Sequence, residues 1–215
     1  MIAFARKLTA ESGVAVSGLN FGGGLGIPYH PDEPAFDTRS YAANILSALD
    51  ETPDWAPQLV MECGRFVTGP SGYLVAQVNG VFEKPHRVIG INVSTAAMPR
   101  VSVYPDAYHH ISFPDAKQHP KHPTDVVGAM CESSDKFCLS RSLPTPGIGD
   151  LCLIHDVGAH CIGMSNTYNG MLRPAEFLLD GDRITMIARP ETFNDLAARF
   201  TNAEFERDVA ECLMT

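Results

Sequence analysis

Val14-Ala15-Val16-Ser17-Gly18-Leu19-Asn20-Phe21-Gly22-Gly23-Gly24-Leu25-Gly26-Ile27-Pro28-Tyr29 begins as a short, mostly apolar run and ends in a glycine-rich turn closed by proline. Val14 to Asn20 reads as a strand feeding that turn. Ahead of it, Ile2 to Ser12 reads as a helix with Phe4 and Leu8 one turn apart. Behind it, Tyr41, Ile45, Leu46 and Leu49 form a helical stripe between Asp37 and Asp50, and Gln58 to Glu62 reads as a second strand after Pro57. The order is strand, loop, helix, strand, the pattern of βα units in a parallel sheet, where chemistry gathers at the carboxyl ends of strands. Gly22-Gly23-Gly24 and Glu62-Cys63-Gly64-Arg65 both fall at such ends.

Beyond Gly72 the pattern changes. Tyr73 to Glu83, Arg87 to Val93, Thr124 to Met130, Asp150 to His155, Ala175 to Leu179 and Arg183 to Arg189 are strand-like, with no long helix between them. Asp180-Gly181-Asp182 is a hairpin signal, because glycine accepts the positive φ that such turns require. A helical tail follows, Glu191 to Phe200 and then Ala203 to Met214, the second capped by Asn202. The expected fold class is therefore α/β plus all-β, in three stretches: 1–72 with two βα units, 73–190 an antiparallel β-domain resembling a barrel or sandwich, and 191–215 helical. A closed (β/α)₈ barrel takes about 250 residues, so 1–72 amounts to the last quarter of one, to be completed by a partner or by further chain.

Composition narrows the function classes. Charged residues make up 19% of the 215, below the roughly 25% of typical soluble domains, which favours a surface covered by a partner. A net charge of -9 without a Lys/Arg cluster argues against nucleic acid. Six cysteines without a Cys-x-x-Cys pair, no secretory leader and no long apolar run give the expectation of a reduced, cytoplasmic protein off the membrane. His109-His110 and His119-Pro120-Lys121-His122 lack the spacing of metal ligands, so no metal is expected.

Several clusters carry possible chemistry. Three successive glycines let the backbone approach a phosphate and offer amides to its oxygens, unless the turn serves no ligand. A dinucleotide site would open directly into a helix, and Ile27-Pro28-Tyr29-His30-Pro31 intervenes. Glu62 and Arg65 form either a surface salt bridge or the rim of a ligand site. Arg100 and Tyr104 could clamp a carboxylate, or be a solvated arginine and a packed tyrosine. Cys131-Glu132-Ser133-Ser134-Asp135 puts a thiol beside carboxylates just ahead of a strand-like run, where the alternative is a buried apolar cysteine. Tyr168 in Asn166-Thr167-Tyr168-Asn169-Gly170 reads as a packed turn aromatic or a site residue.

The ordered set, completed by Ala107-Tyr108-His109-His110, Ile154-His155-Asp156 with Gly158-Ala159-His160, and Arg173-Pro174-Ala175-Glu176, spans nearly the whole chain. It resembles the C-terminal half of the pyridoxal phosphate (PLP) decarboxylases that act on diaminopimelate and ornithine, most of all the diaminopimelate type. That resemblance implies the C-terminal part of a PLP-binding barrel followed by a β-domain, active as a head-to-tail homodimer with shared sites. Gly22, Gly23 and Gly24 would hold the phosphate with His160, Glu62 would face the pyridine nitrogen, and Arg65 would lie by phosphate and substrate. Arg100, Tyr104, Glu132 and Tyr168 would read the substrate, and Cys131 from the partner subunit would reprotonate its α-carbon. The implied reaction turns meso-diaminopimelate into L-lysine and CO₂. The sequence departs from the family at Cys63, Val101 and His160, and none of Lys7, Lys84, Lys117, Lys121 and Lys136 suits the cofactor-bearing amine. Two other readings stand beside this one: a catalytically inactive dimerisation or regulatory module, and a decarboxylase of another amino acid with a distal carboxylate.

Overall fold

The computed structural model describes residues 1–52, 54–83, 86–116 and 122–200. The helix expected over 203–214 with its Asn202 cap, Cys212, and three of the lysines (Lys84, Lys117 and Lys121) lie outside them. Helix α1 (Ile2–Ser12) ends at Gly13, whose φ of +70° is the left-handed stop that glycine adopts without a Cβ penalty. Helix α2 (Thr38–Asp50) is capped by Asp37, which accepts from the amides of Arg39 and Ser40. The strands are shorter than their sequence patterns: β1 (Gly18–Asn20) pairs in parallel with β2 (Gln58–Val60), Leu19 facing Leu59 in register. The Trp55 indole donates to the Val16 carbonyl, at 2.7 Å, and holds the approach to β2 against the approach to β1.

The expected apolar stripes of both helices are only partly used. In α1 the buried residue is Ala5 while Phe4 and Leu8 stay exposed, and α2 buries none of its side chains fully. Leu59 and Val60 are exposed as well. Parallel sheets are ordinarily covered on both faces, so two βα units leave apolar surface without its usual cover.

After α3 (Gly64–Thr68) the chain enters a six-stranded sheet of order β5-β8-β3-β4-β6-β7. Its strands are β3 (Tyr73–Phe82), β4 (Arg87–Ile91), β5 (Ile111–Ser112), β6 (His122–Val127), β7 (Lys136–Leu143) and β8 (Leu151–His155), with the short helix α4 (Arg100–Val103) between β4 and β5. Most neighbours are antiparallel, but β4 and β6 run parallel, so the sheet is mixed. Arg141 of β7 reaches the His109 carbonyl just ahead of β5, so the edge strands curl toward one another and the sheet nearly closes. Alternate residues point inward: Ala76 and Val78, Ile89 and Ile91, and Cys152 and Ile154 form the core with Val126, Phe137 and Met98. The hairpin β9 (Glu176–Asp180) and β10 (Arg183–Ala188) turns at Gly181, φ +58°, as its sequence predicts. Helix α5 (Phe193–Ala197) follows, opened by a capping box of Thr192 and Asp195.

Two buried contacts fix the loops. The Asp135 carboxylate, fully buried, accepts from the Thr95 amide at 2.7 Å and the Met130 amide at 2.8 Å, pinning the 128–135 loop to the turn after β4. At the other junction, the Val157 amide donates to the Gly72 carbonyl and the Gly158 amide to the Gly69 carbonyl, each at 3.0 Å. A Cβ on Gly158 would strike the Thr68 carbonyl. Asp135→Ala is expected to lower unfolding free energy by about 1–3 kcal/mol per orphaned amide, and Gly158→Ala by at least about 1–3 kcal/mol through overpacking. Urea unfolding followed by circular dichroism checks both, and wild-type midpoints would refute them.

Candidate active site

β1 and β2 end side by side, and a web of hydrogen bonds continues past them. The Phe21 amide donates to the Val60 carbonyl and the Glu62 amide to the Gly22 carbonyl. Asn20 works in both directions: its Nδ2 donates to Glu62 Oε1 at 2.7 Å, and its Oδ1 accepts from the Gly22 amide at 2.8 Å. The carboxylate at the end of one strand is thus fixed to the loop at the end of the other. Gly22 and Gly24 have φ of +70° and +86°, and Gly23 sits so close to the Glu62 carbonyl that a Cβ would collide with it. All three positions demand glycine for a geometric reason.

A cavity of about 570 Å³ opens there. Gly24, Glu62, Arg65, Arg100, Tyr104 and His160, each a site residue expected from sequence, line it. Gly64 and the 105–107 segment, including Asp106, complete the wall. Gly22 and Gly23 stand behind it in the same loop. The bland pairing for Glu62 and Arg65 is not found: among the described residues neither forms an ion pair. Arg100 and Tyr104 invert their alternative reading, since the arginine is 7% exposed and the tyrosine 48%. His160 is exposed and left-handed, φ +58°, at the loop that Gly158 locks in place.

Sequence reasoning passed over three residues here. Asn20 closes β1, where only its position at a strand end pointed to a role. Tyr29 ends the glycine motif; its ring lies 3.9 Å from the Arg100 guanidinium carbon, and its buried hydroxyl has no hydrogen-bond partner. Burial pushes that phenol above its ordinary pKa, so it stays protonated. His109, quoted only as part of a motif, is buried against Arg100, its Nε2 2.8 Å from Nη1.

Cys131, Glu132 and Tyr168 form a second cluster outside the cavity wall. The Tyr168 hydroxyl donates to Glu132 Oε1 at 2.8 Å, so the tyrosine is a solvent-facing hydrogen-bonded group, not a packed aromatic. That bond to a carboxylate raises the phenol pKa. Cys131 is exposed, 4.0 Å from Asn169 Nδ2. Cys138, Cys152 and Cys161 are instead buried small side chains, and burial raises their thiols, to about 12 for Cys152 and about 11 for Cys161.

Residues 36–158 match the family "Pyridoxal-dependent decarboxylase, C-terminal sheet domain", and residues 2–69 match "Pyridoxal-dependent decarboxylase, pyridoxal binding domain". The chain is 47% identical over 192 residues to Protein TabA of Pseudomonas amygdali pv. tabaci, covering 88% of this chain and 45% of that protein. It is 34% identical over 197 residues to diaminopimelate decarboxylase of Methanothermobacter thermautotrophicus, covering 89% and 46%. Among solved structures it resembles diaminopimelate decarboxylase of M. jannaschii in complex with L-lysine, with a TM-score of 0.87, 33% identity and coverage of 94% of this chain and 46% of that one. The chain spans less than half the length of these relatives.

The thiols differ enough in setting to be told apart chemically. Iodoacetamide near pH 8 should alkylate Cys131 first and leave Cys138, Cys152 and Cys161 intact until denaturant is added, because a buried thiol with a raised pKa carries almost no thiolate. Peptide mass mapping reads the order. Early modification of any of those three would contradict the buried placement.

Proposed function

The chain belongs to the pyridoxal-dependent decarboxylases, and from that premise we propose that it forms the C-terminal part of an amino-acid carboxy-lyase, acting on meso-diaminopimelate to give L-lysine and CO₂. The observation that carries this reading is the meeting, in one cavity, of an immobilised carboxylate, two guanidiniums without ion-pair partners among the described residues, and a glycine turn. Pyridoxal phosphate suits that donor set. The backbone of Gly22 to Gly24, with Arg65 and His160, would hold the phosphate, while Glu62, kept in place by Asn20, would accept a hydrogen bond from the ring nitrogen and keep it protonated.

When bound, the cofactor supplies an electron sink for the pair left on the α-carbon as the bond to CO₂ breaks. The chain's own residues do the rest. Arg65, on the cavity wall, would lie by phosphate and substrate. Arg100 and Tyr104 would hold the far end of the substrate, a guanidinium being suited to gripping a carboxylate through two parallel hydrogen bonds, and Glu132 and Tyr168, which lie with Cys131 outside the cavity, would join them from a second copy. Cys131, outside its own chain's cavity, would be delivered by a second copy and would return a proton to the α-carbon as the new C–H bond forms. We place the enzyme in the cytoplasm as a homodimer, its shared sites completed by the barrel portion that bears the cofactor-holding amine. Lys7 pairs with Glu11 on α1 and Lys136 opens β7, so neither lies at the cavity. We take 1–72, 73–190 and 191–215 as the barrel, sheet and tail portions.

The lack of a cavity lysine among the described residues also supports a second reading, an inactive dimerisation module that lends Cys131 to a complete homologue. The 47% identity to TabA leaves room for another amino acid with a distal carboxylate. One experiment separates these. The chain is co-expressed with the N-terminal barrel half of a diaminopimelate decarboxylase, and CO₂ release is measured with meso-diaminopimelate, with L-ornithine, and with L-glutamate and L-2-aminoadipate as amino acids that carry another distal carboxylate. The expected result is release from diaminopimelate only, with Arg100→Met raising KM by roughly 100-fold, the loss of a charge-assisted carboxylate contact of about 1.5–3 kcal/mol. Release from ornithine alone, or none with any amino acid, would refute the assignment.

A further inference from the structure

We propose that His109 is a positioning residue that aims the Arg100 guanidinium into the cavity, acting as a neutral hydrogen-bond acceptor from behind. The substrate side of this inference rests on the reading above, while the geometry stands without it. Arg100 sits on the first turn of α4, buried yet forming part of the cavity wall. Its contacts among the described residues are His109 Nε2 at 2.8 Å, the Tyr108 carbonyl at 3.3 Å and the face of the Tyr29 ring at 3.9 Å. Every one of them is neutral.

The chemistry of arginine fixes the state of the imidazole. A guanidinium can only donate, so Nε2 must present its lone pair, and the single proton must sit on Nδ1. Nδ1 indeed has an acceptor, the His155 carbonyl of β8 at 2.8 Å. Both ring nitrogens are thereby committed, and the sheet backbone orients the histidine that orients the arginine. A protonated ring would set a second cation against Arg100 in a buried place. Around His109, the guanidiniums of Arg100 from α4 and Arg141 from β7 oppose such a cation, the Tyr29 ring of the glycine loop lies with its centroid 4.9 Å away, and the His155 carbonyl of β8 is the group that favours it. Burial is the largest influence, and with the two guanidiniums it outweighs the carbonyl and holds the His109 pKa down to about 4.

This arrangement differs from the usual way of fixing a buried arginine. A carboxylate partner would hold the guanidinium equally well but would neutralise the charge that an incoming anion needs. An imidazole acceptor and an aromatic face hold its direction and leave its charge available to the cavity. His109 is therefore inferred to serve specificity for the substrate's distal carboxylate without touching the substrate.

The test has two arms. In the free 215-residue chain, long-range ¹H–¹⁵N correlation of ¹⁵N-labelled protein should show His109 as the Nδ1–H tautomer down to about pH 5, titrating well below the ordinary histidine value of about 6.5. In the enzyme completed with the barrel half, His109→Ala should raise KM for meso-diaminopimelate roughly tenfold, with kcat altered by less than about threefold. His109→Gln, whose amide oxygen can accept from Arg100, should restore KM to within about threefold of wild type. An Nε2–H tautomer, a His109 that titrates normally, or a glutamine variant as poor as alanine would each overturn the proposal. Should the completed enzyme turn nothing over, the functional reading fails and the tautomer alone decides this one.

Discussion

The structure depends on a backbone contact that no side chain could share. Gly158 presses on Thr68 and Gly69, and Gly72 approaches Gly158 so closely that its Cβ would fall 2.6 Å from the partner Cα. This is the seam between the βα units and the curled sheet. Glycine is needed there for close approach, since neither Gly72 nor Gly158 has a positive φ. Its consequence is positional: with the seam closed, His160, two residues on, reaches the cavity whose opposite wall is Gly24, Glu62 and Arg65. Loosening the seam would separate the glycine loop from the sheet portion whose α4 carries Arg100.

The cavity's electrostatics follow from how each charge is held. Glu62 is fixed by a neutral amide, Asn20, and Arg100 by a neutral imidazole and an aromatic ring, so both keep their full charge toward the interior. Two arginines outside the cavity are held by opposite charge instead: Arg173 meets Glu191, and Arg189 makes a two-pronged pair with Asp195. That contrast marks the cavity as a place for charged ligands more sharply than composition does, because buried or half-buried charges are costly unless something repays them.

Much of this was readable from residue order. Positive φ at Gly13, Gly22, Gly24 and Gly181 follows from glycine at turn positions, and Asp37 announced a helix start. Six expected site residues converge, because each stands in a loop or short helix that follows a strand. What periodicity could not supply was partnership across the chain. Asn20 and Glu62 are 42 positions apart, and nothing local in either sequence names the other. Lys136–Leu143 was legible only as a run after the Cys131 loop, and the parallel β4–β6 pairing depends on a crossover that hydrophobic alternation does not encode. The exposed Phe4 and Leu8 show the same limit, since an apolar stripe says that a face can be buried, not that its cover lies in the same stretch of chain.

In the proposed decarboxylation the two clusters would have separate tasks. Cys131 sits exposed on a loop that Asp135 ties down from below. Rigidity matters more than proximity within one chain: a thiol carried on a fixed loop can be brought to a neighbour's cavity in a defined orientation, where a mobile one would pay an ordering cost on each approach. The buried carboxylate that fixes the loop, the neutral imidazole that fixes the arginine and the amide that fixes Glu62 are thus the same solution applied three times, in which a group outside the proposed chemistry sets the direction of one that would take part in it.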